Sequence, residues 1–283
     1  MLAVTAVRST TLPGGEAIPV LGQGTWGMAE KKHTREQELQ ALRLGLDLGM
    51  TLIDTAEMYA NGGAEKLVGE AIAGRRDQVF LVSKVLPHNA SRSGTLNACE
   101  RTLRRLKTDH IDLYLLHWRE QIALEQTVSA FEALLRNGKI RYWGVSNFDL
   151  SDMKEVESLP GGEVVATDQV LYNLQRRGIE YDLLPWCRQR QIPVMAYSPI
   201  EQGRMLNLAT LRAIAESHGA TPAQVALAWV LRQEKVVAIP RAGIPEHIRQ
   251  NRGALDLQLT SQDLAELDRD FPRPSGPQPL EMI

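Results

Sequence analysis

Thr51-Leu52-Ile53-Asp54-Thr55-Ala56-Glu57-Met58-Tyr59 is a short apolar run that ends in a carboxylate and reaches a phenol five residues later. Two later runs end in the same way. Val79-Phe80-Leu81-Val82-Ser83 meets Lys84, and Leu113-Tyr114-Leu115-Leu116 meets His117. Three strand-like runs therefore deliver an acid, an amine and an imidazole at corresponding ends. As parallel neighbours in one sheet they bring Asp54, Lys84 and His117 to a single rim, with Tyr59 above it on the following loop. Whether that rim exists depends on what the flanking sequence builds.

Working outward, short apolar runs alternate with helical stripes. The strand candidates are Val20-Leu21-Gly22, Leu52-Ile53, Val79 to Val82, Leu113 to Leu116, Tyr142-Trp143-Gly144-Val145, Val164-Val165-Ala166, Val194-Met195-Ala196-Tyr197 and Val236-Val237-Ala238-Ile239. Between them, Leu39, Leu42 and Leu46 recur at helical spacing, as do Leu96, Leu103 and Leu106, and Phe131, Leu134 and Leu135. Thr221-Pro222-Ala223-Gln224 is a capping box with proline at the first helical position, which predicts a helix through Val225 to Val230. Eight strand-then-helix units, with runs too short and apolar for half-exposed strands, predict a parallel sheet buried on both faces. The fold class expected is α/β, a (β/α)8 barrel forming one domain over residues 1–283. An N-terminal hairpin from Val4 to Ile18, turning at Leu12-Pro13-Gly14-Gly15, is expected to cover one end. The proline-rich tail from Phe271 to Pro277 is expected to lie across the barrel.

Composition narrows the function. A chain of 283 residues suffices for one α/β barrel, and its net charge of −2 with dispersed signs offers no field to hold nucleic acid or an acidic membrane. A small-molecule partner is the default. Two cysteines, Cys99 and Cys187, form no CxxC pair and fit a reducing compartment. The opening lacks a basic leader, and no apolar stretch approaches the roughly 18 residues of a membrane span. These features predict a cytoplasmic protein, with a monomer favoured. The six histidines are scattered without ligand spacing, so no metal site is expected, and no GxSxG elbow occurs. Gly22-Gln23-Gly24-Thr25-Trp26-Gly27 matches GxGxxG, but Met28 to Thr34 is polar and unperiodic where a dinucleotide fingerprint must open into a helix. The glycines are read instead as letting a strand end bend close to a ligand.

What remains is proton chemistry by a phenol. Free tyrosine titrates near pH 10, too weak an acid to protonate an alkoxide efficiently at neutral pH. A neighbouring ammonium is expected to lower that value, and a carboxylate behind the ammonium to keep it charged and oriented. Asp54, Lys84 and Tyr59 are the parts of such a relay, with His117 as a donor to the substrate oxygen. Singly, each residue has an ordinary structural explanation, such as a buried ion pair or a core histidine. Their conjunction carries the inference.

These are also the residues by which the sequence resembles the aldo-keto reductases, most closely the short bacterial branch and its enterobacterial methylglyoxal-reducing type. The matching elements run from Leu21-Gly22-Gln23-Gly24-Thr25-Trp26 and Asp54-Thr55-Ala56-Glu57-Met58-Tyr59 through Lys84, Leu115-Leu116-His117-Trp118 and Gly144-Val145-Ser146-Asn147-Phe148. They continue through Asp168-Gln169-Val170, Ala196-Tyr197-Ser198-Pro199 and Ile239-Pro240-Arg241. The resemblance implies a barrel that binds NADP(H) without a Rossmann motif and a catalytic tetrad of Asp54, Tyr59, Lys84 and His117. It implies cofactor contacts at Gly24, Thr25, Trp26 and Asp54, a carboxamide site at Ser146, Asn147 and Gln169, and nicotinamide stacking on Tyr197. Ser198, Pro199, Ile200, Gln202 and Gly203 would follow the diphosphate. Ile239, Pro240, Arg241, Ala242, His247, Gln250 and Asn251 would surround the adenosine 2′-phosphate end. Trp26 and Trp118, with Tyr59 and His117, would line the substrate pocket. The family commonly has Lys-Ser, and an Arg five residues after the Ser, where this chain has Arg241, Ala242 and His247.

The implied activity is NADPH-dependent reduction of small aldehydes and α-dicarbonyls such as methylglyoxal. Two other readings stay open at this point. One is a nucleotide-binding regulatory subunit of the same fold, and the other an aldolase using Lys84 as a Schiff-base amine.

Overall fold

Strand alternation explains the architecture of the chain, whose computed structural model describes residues 7–30 and 32–283. In β5 (Phe80–Val85), Phe80 and Val82 belong to the cluster inside the barrel, whereas Leu81 and Val85 belong to the layer beneath the helices. The period of two then aims Lys84 inward. In β6 (Ile111–Leu116) Leu113 and Leu115 face inward, so His117, the next residue in that phase, does too. β4 (Leu52–Asp54) repeats the pattern with Leu52 inside, Ile53 outside and Asp54 inside.

The remaining barrel strands are β3 (Gln23–Gly24), β7 (Ile140–Ser146), β8 (Asp168–Leu171), β9 (Val194–Tyr197) and β10 (Val236–Ala238). All pair in parallel with their sequence neighbours, in the order β3 to β10. The sheet closes on itself where Leu21 bridges Ala238 and Gly24 bridges Arg241, with Gly24 N–H donating to Pro240 O at 3.0 Å. A Cβ on Gly24 would lie 2.6 Å from the Ile239 carbonyl oxygen. This glycine is therefore required by the barrel seam itself.

Helices cover the outside. α1 (Arg35–Asp47) starts at a Thr34–Gln37 capping box and buries Leu39, Leu42 and Leu46, and α8 (Pro222–Leu231) starts at the expected Thr221–Gln224 box. A hairpin of β1 (Ser9–Thr11) and β2 (Ala17–Pro19) places Leu12 and Ile18 in the interior cluster with Leu52, Phe80, Leu113 and Val237. It thus covers the barrel end opposite the one where Asp54, Lys84 and His117 lie. Residues 4–6 of the expected hairpin, and the opening segment through residue 6, lie outside the described residues.

One strand expectation needs correction. Val164 sits in a 3-10 turn and is 50% exposed, while the strand is Asp168–Leu171. Polar residues at 167–169 concealed it, yet all three are buried and bonded into the barrel or packed behind it. The expected first strand at Val20–Gly22 does enter the barrel, with Leu21 bridging Ala238, and the ladder to β4 continues directly after it at Gln23–Gly24, where buried Gln23 donates to Met50 O at 3.0 Å and to Leu42 O at 3.3 Å.

Beyond α10 (Ser261–Asp270) the tail runs back over the carboxyl-end rim. Arg177 binds Phe271 O and Asp268, and Arg176 pairs with Glu281 at 2.5 Å. With α5 (Leu150–Ser158) and the Gly178–Leu183 segment, the tail borders a cleft of about 550 Å³ that includes none of the tetrad residues.

Candidate active site

The four residues predicted to meet do so. Lys84 is fully buried, and its ammonium donates to Asp54 Oδ2 at 2.7 Å, Thr55 O at 2.9 Å and Tyr59 Oη at 3.1 Å. The His117 ring stands edge-on to Tyr59, centroids 5.8 Å apart. Trp26 contacts Tyr59 edge-on at 5.1 Å and Trp118 contacts His117 at 4.8 Å, so four rings stand in a row. Trp26 is 50% exposed, whereas Tyr59 and His117 are each 7% exposed. The acid and the imidazole thus lie at the floor of a recess whose lip is aromatic.

Burial sets the titration of this floor. It pushes the Tyr59 phenol well above its ordinary value, and the Asp54 charge adds to the rise. The expectation that Lys84 would lower it is corrected, because desolvation of a buried phenolate outweighs the neighbouring ammonium. Tyr59 therefore holds its proton across the working pH range. Only a stronger base formed against it, such as an alkoxide, could take that proton. Burial also lowers the Lys84 value, opposed by the charge and hydrogen bond of Asp54. For His117, burial first and the Lys84 charge second bring the pKa down to about 2. His117 is neutral at any physiological pH, which suits it to donate a hydrogen bond rather than to act as an acid.

The loop carrying Tyr59 is fixed from outside the barrel. Glu57 Oε1 accepts from Leu86 N–H and Asn89 Nδ2, both at 2.9 Å, and Ala60 and Asn61 follow with φ of 50° and 52°. Thr25 holds the other flank, donating to Asp54 O from its hydroxyl at 2.9 Å and its N–H at 3.0 Å.

Ser146, Asn147, Gln169 and Tyr197 gather beside the tetrad, and their polar groups engage one another. Gln169 Nε2 donates to Asp54 Oδ1 at 2.8 Å, and Ser146 Oγ donates to Gln169 O at 2.7 Å. Asn147, with φ of 60°, donates to His117 O at 3.1 Å and accepts from Tyr197 Oη at 2.8 Å. This network ties β7, β8 and β9 to the acid and the imidazole. Ser198, Pro199, Ile200, Gln202 and Gly203 continue along the same rim from the end of β9.

At the far end of the rim, Ile239, Pro240, Arg241 and Ala242 follow β10, while α9 (Pro245–Gly253) supplies His247, Gln250 and Asn251. His247 is exposed, and Gln250 bonds Glu246 on its own helix at 3.2 Å. Arg241, 23% exposed, donates to Gly27 O at 3.2 Å and lies 3.9 Å from buried Glu38. Arg241 Nε, Asn251 Nδ2 and His117 Nδ1 are among the buried polar atoms of the described residues that lack a hydrogen-bond partner. Such orphaned groups are costly unless a ligand satisfies them. They stand where the two ends of an extended dinucleotide are expected, so these residues fit that cofactor.

Sequence reasoning missed Glu38 and His33, both neighbours of Arg241. The signal for Glu38 was available, since a carboxylate beside Leu39 on the buried face of α1 demands a partner. His33 lies on the unperiodic loop before that helix and gave none.

Comparison with known proteins agrees with this geometry. The Aldo/keto reductase family model matches residues 20–269. The chain is 55% identical to the methylglyoxal reductase YeaE of Escherichia coli K12, over 95% of this chain and 97% of that protein. It is 33% identical to the glyoxal reductase of Bacillus subtilis 168, over 99% of each chain. An aldo-keto reductase of Klebsiella pneumoniae, solved in complex with NADPH, superposes with a TM-score of 0.95 at 50% identity, covering 99% of this chain and all of that one.

Proposed function

Since the chain belongs to the aldo/keto reductase family, we propose that Asp54, Tyr59, Lys84 and His117 work as its carbonyl-reducing tetrad, on small aldehydes and α-dicarbonyls such as methylglyoxal. The observation that carries this reading is the Lys84 ammonium held between Asp54 at 2.7 Å and Tyr59 at 3.1 Å on the floor of an aromatic-lipped recess. When bound, NADPH supplies the hydride.

The chain's own residues do the rest. Neutral His117 and the Tyr59 hydroxyl meet the substrate carbonyl oxygen and polarise it, an arrangement worth several kcal/mol when donors are preorganised and shielded from water. As charge grows on that oxygen, Tyr59 passes its proton to it. Lys84 stabilises the resulting phenolate oxygen, and Asp54 keeps Lys84 charged in a site where burial disfavours the charge. Gln169 and Thr25 hold Asp54, and Asn147 holds the backbone of His117. Arg241 and Asn251 would meet the adenosine 2′-phosphate end and the Ser198–Gly203 segment the diphosphate.

Relatives carry the substrate reading. The Escherichia coli protein is named a methylglyoxal reductase and the Bacillus subtilis protein a glyoxal reductase. A lip formed by Trp26 and Trp118 rewards a reactive carbonyl more than a particular shape. Against a Schiff-base aldolase, Lys84 is fully buried, with three hydrogen bonds on its ammonium and a carboxylate among them. A purely regulatory role leaves the intact tetrad without a use. Among the described residues no helix is long and apolar enough to cross a membrane. The free cysteines Cys99 and Cys187 support the proposal of a reducing, cytoplasmic location. The test is NADPH consumption over a panel of methylglyoxal, activated aromatic aldehydes, simple ketones, aldoses and a steroid ketone. Methylglyoxal and the activated aldehydes should lead in kcat/KM, and a steroid ketone in first place would overturn the substrate reading.

A further inference from the structure

The segment leaving β9 holds a backbone that side-chain-bearing residues adopt only under constraint. Ser198, Glu201 and Gln202 have φ of 46°, 49° and 55°, and Gly203 has 89°. Left-handed conformations at non-glycine residues persist where surrounding structure over-determines them. The constraint is visible beneath the segment. Glu201 is 2% exposed, and its carboxylate is directed into the protein, accepting from Asn173 Nδ2 at 2.8 Å, Arg204 at 2.9 Å and Arg176 at 3.2 Å. Asn173, fully buried just past the end of β8, donates from the same nitrogen to Ser198 O at 2.9 Å. Its own Oδ1 accepts from Gln175 and Arg176 N–H at 2.9 and 3.1 Å, which fixes the amide in place. One amide therefore grips the strained segment at both Ser198 and Glu201. The second arm of Arg176 reaches Glu281, so the tail is fastened to the same hub.

We propose that Glu201, together with Asn173, is a positioning residue for the cofactor, holding the Ser198–Gly203 strap in its left-handed form before the diphosphate arrives. The inference rests on the reading above that this strap follows the diphosphate. Glu201 acts through the backbone, because its carboxylate is occupied by Asn173 and the two arginines. A strap already in its binding conformation spares the ligand the cost of ordering it, and apparent affinity scales with the fraction of molecules that are competent. Ion pairing for stability alone would give a different result, a loss of unfolding stability with strap and affinity unaltered.

Hydrogen exchange and equilibrium binding of NADPH together test it on the full chain. In the parent protein, NADPH should slow exchange of amides 198–203. In Glu201→Ala the same amides should exchange at least about tenfold faster without cofactor, while β8 and β9 exchange as in the parent. The NADPH dissociation constant should rise about tenfold if the competent fraction falls to roughly a tenth. Glu201→Gln, which keeps the size and one acceptor, should shift both readouts the same way by a smaller factor and serves if the alanine variant does not fold. No protection of 198–203 by NADPH in the parent would mean that the strap is not a cofactor contact, and the underlying reading fails. Protection in the parent, combined with parental strap exchange or parental affinity in the variants, would leave that reading standing and overturn the positioning role.

Discussion

Acidification should destabilise this protein through His117 by an amount the structure fixes. The ring is 7% exposed, and burial, then the Lys84 charge, brings its pKa to about 2. An unfolded chain leaves the same imidazole near its ordinary value of about 6.5. The unfolded state therefore binds a proton below that pH that the folded state refuses. Stability from this group is complete above about pH 6.5 and is lost as pH falls toward the folded value. For a single group the loss is RT ln(1 + 10^(6.5 − pH)), about 0.2 kcal/mol at pH 7 and about 2 kcal/mol at pH 5. The figure at pH 5 is insensitive to the folded value, provided that value lies well below 5. Urea unfolding of the parent and of His117→Gln at pH 7 and pH 5 isolates the effect, because every other titrating group is common to both. The parent should lose about 2 kcal/mol more than the variant over that interval. Equal losses would mean that His117 carries a charge in the folded protein, and its assignment as a neutral donor would fail.

Other predictions follow from the same geometry. Lys84→Met leaves Asp54 buried without its cation and Tyr59 without its donor, so aldehyde turnover at neutral pH should fall by at least about a hundredfold, and a parental rate would refute the relay. Arg241→Ala should lower the ratio of NADPH to NADH affinity by about 10- to 150-fold, the worth of one charged hydrogen bond, and the parental preference should weaken with added salt; an unchanged ratio in titrations of both cofactors would show that another residue reads the 2′-phosphate. Glu38→Gln should tighten NADPH by a few-fold, because the buried carboxylate 3.9 Å from Arg241 competes for the guanidinium, and weaker binding would mean that Glu38 positions Arg241 instead. Gly24→Ala should cost about 1–3 kcal/mol of unfolding stability, since its Cβ would press on Ile239 O at the barrel seam; parental stability would show that the seam yields.

The barrel and the tetrad were legible in the sequence for one reason. In a parallel barrel the residue that ends each apolar run points inward by the period of two, so Asp54, Lys84 and His117 declared themselves as polar residues in inward phase. The same logic explains the failure at β8. There the first two strand residues, Asp168 and Gln169, are both polar although buried, Gln169 bonding Asp54, so the apolar pattern breaks where the strand begins. Glu57, Glu201 and Asn173 were invisible as anchors because the partners that tie them to other elements, Leu86 and Asn89 for Glu57, Ser198 for Asn173 and Arg176 for Glu201, lie distant in sequence. The direction of the Tyr59 shift was misjudged because burial depth, which outweighs the ammonium, cannot be read from spacing.

Tyr59→Phe tests the central claim most directly, since the ring stays and only the transferable proton is lost. In single-turnover mixing of NADPH-loaded protein with methylglyoxal, the parent should oxidise one nicotinamide per product alcohol. The variant should bind NADPH within a few-fold of the parent and show almost no oxidation. Substantial oxidation in the variant would move the proton donor away from Tyr59 and contradict the account.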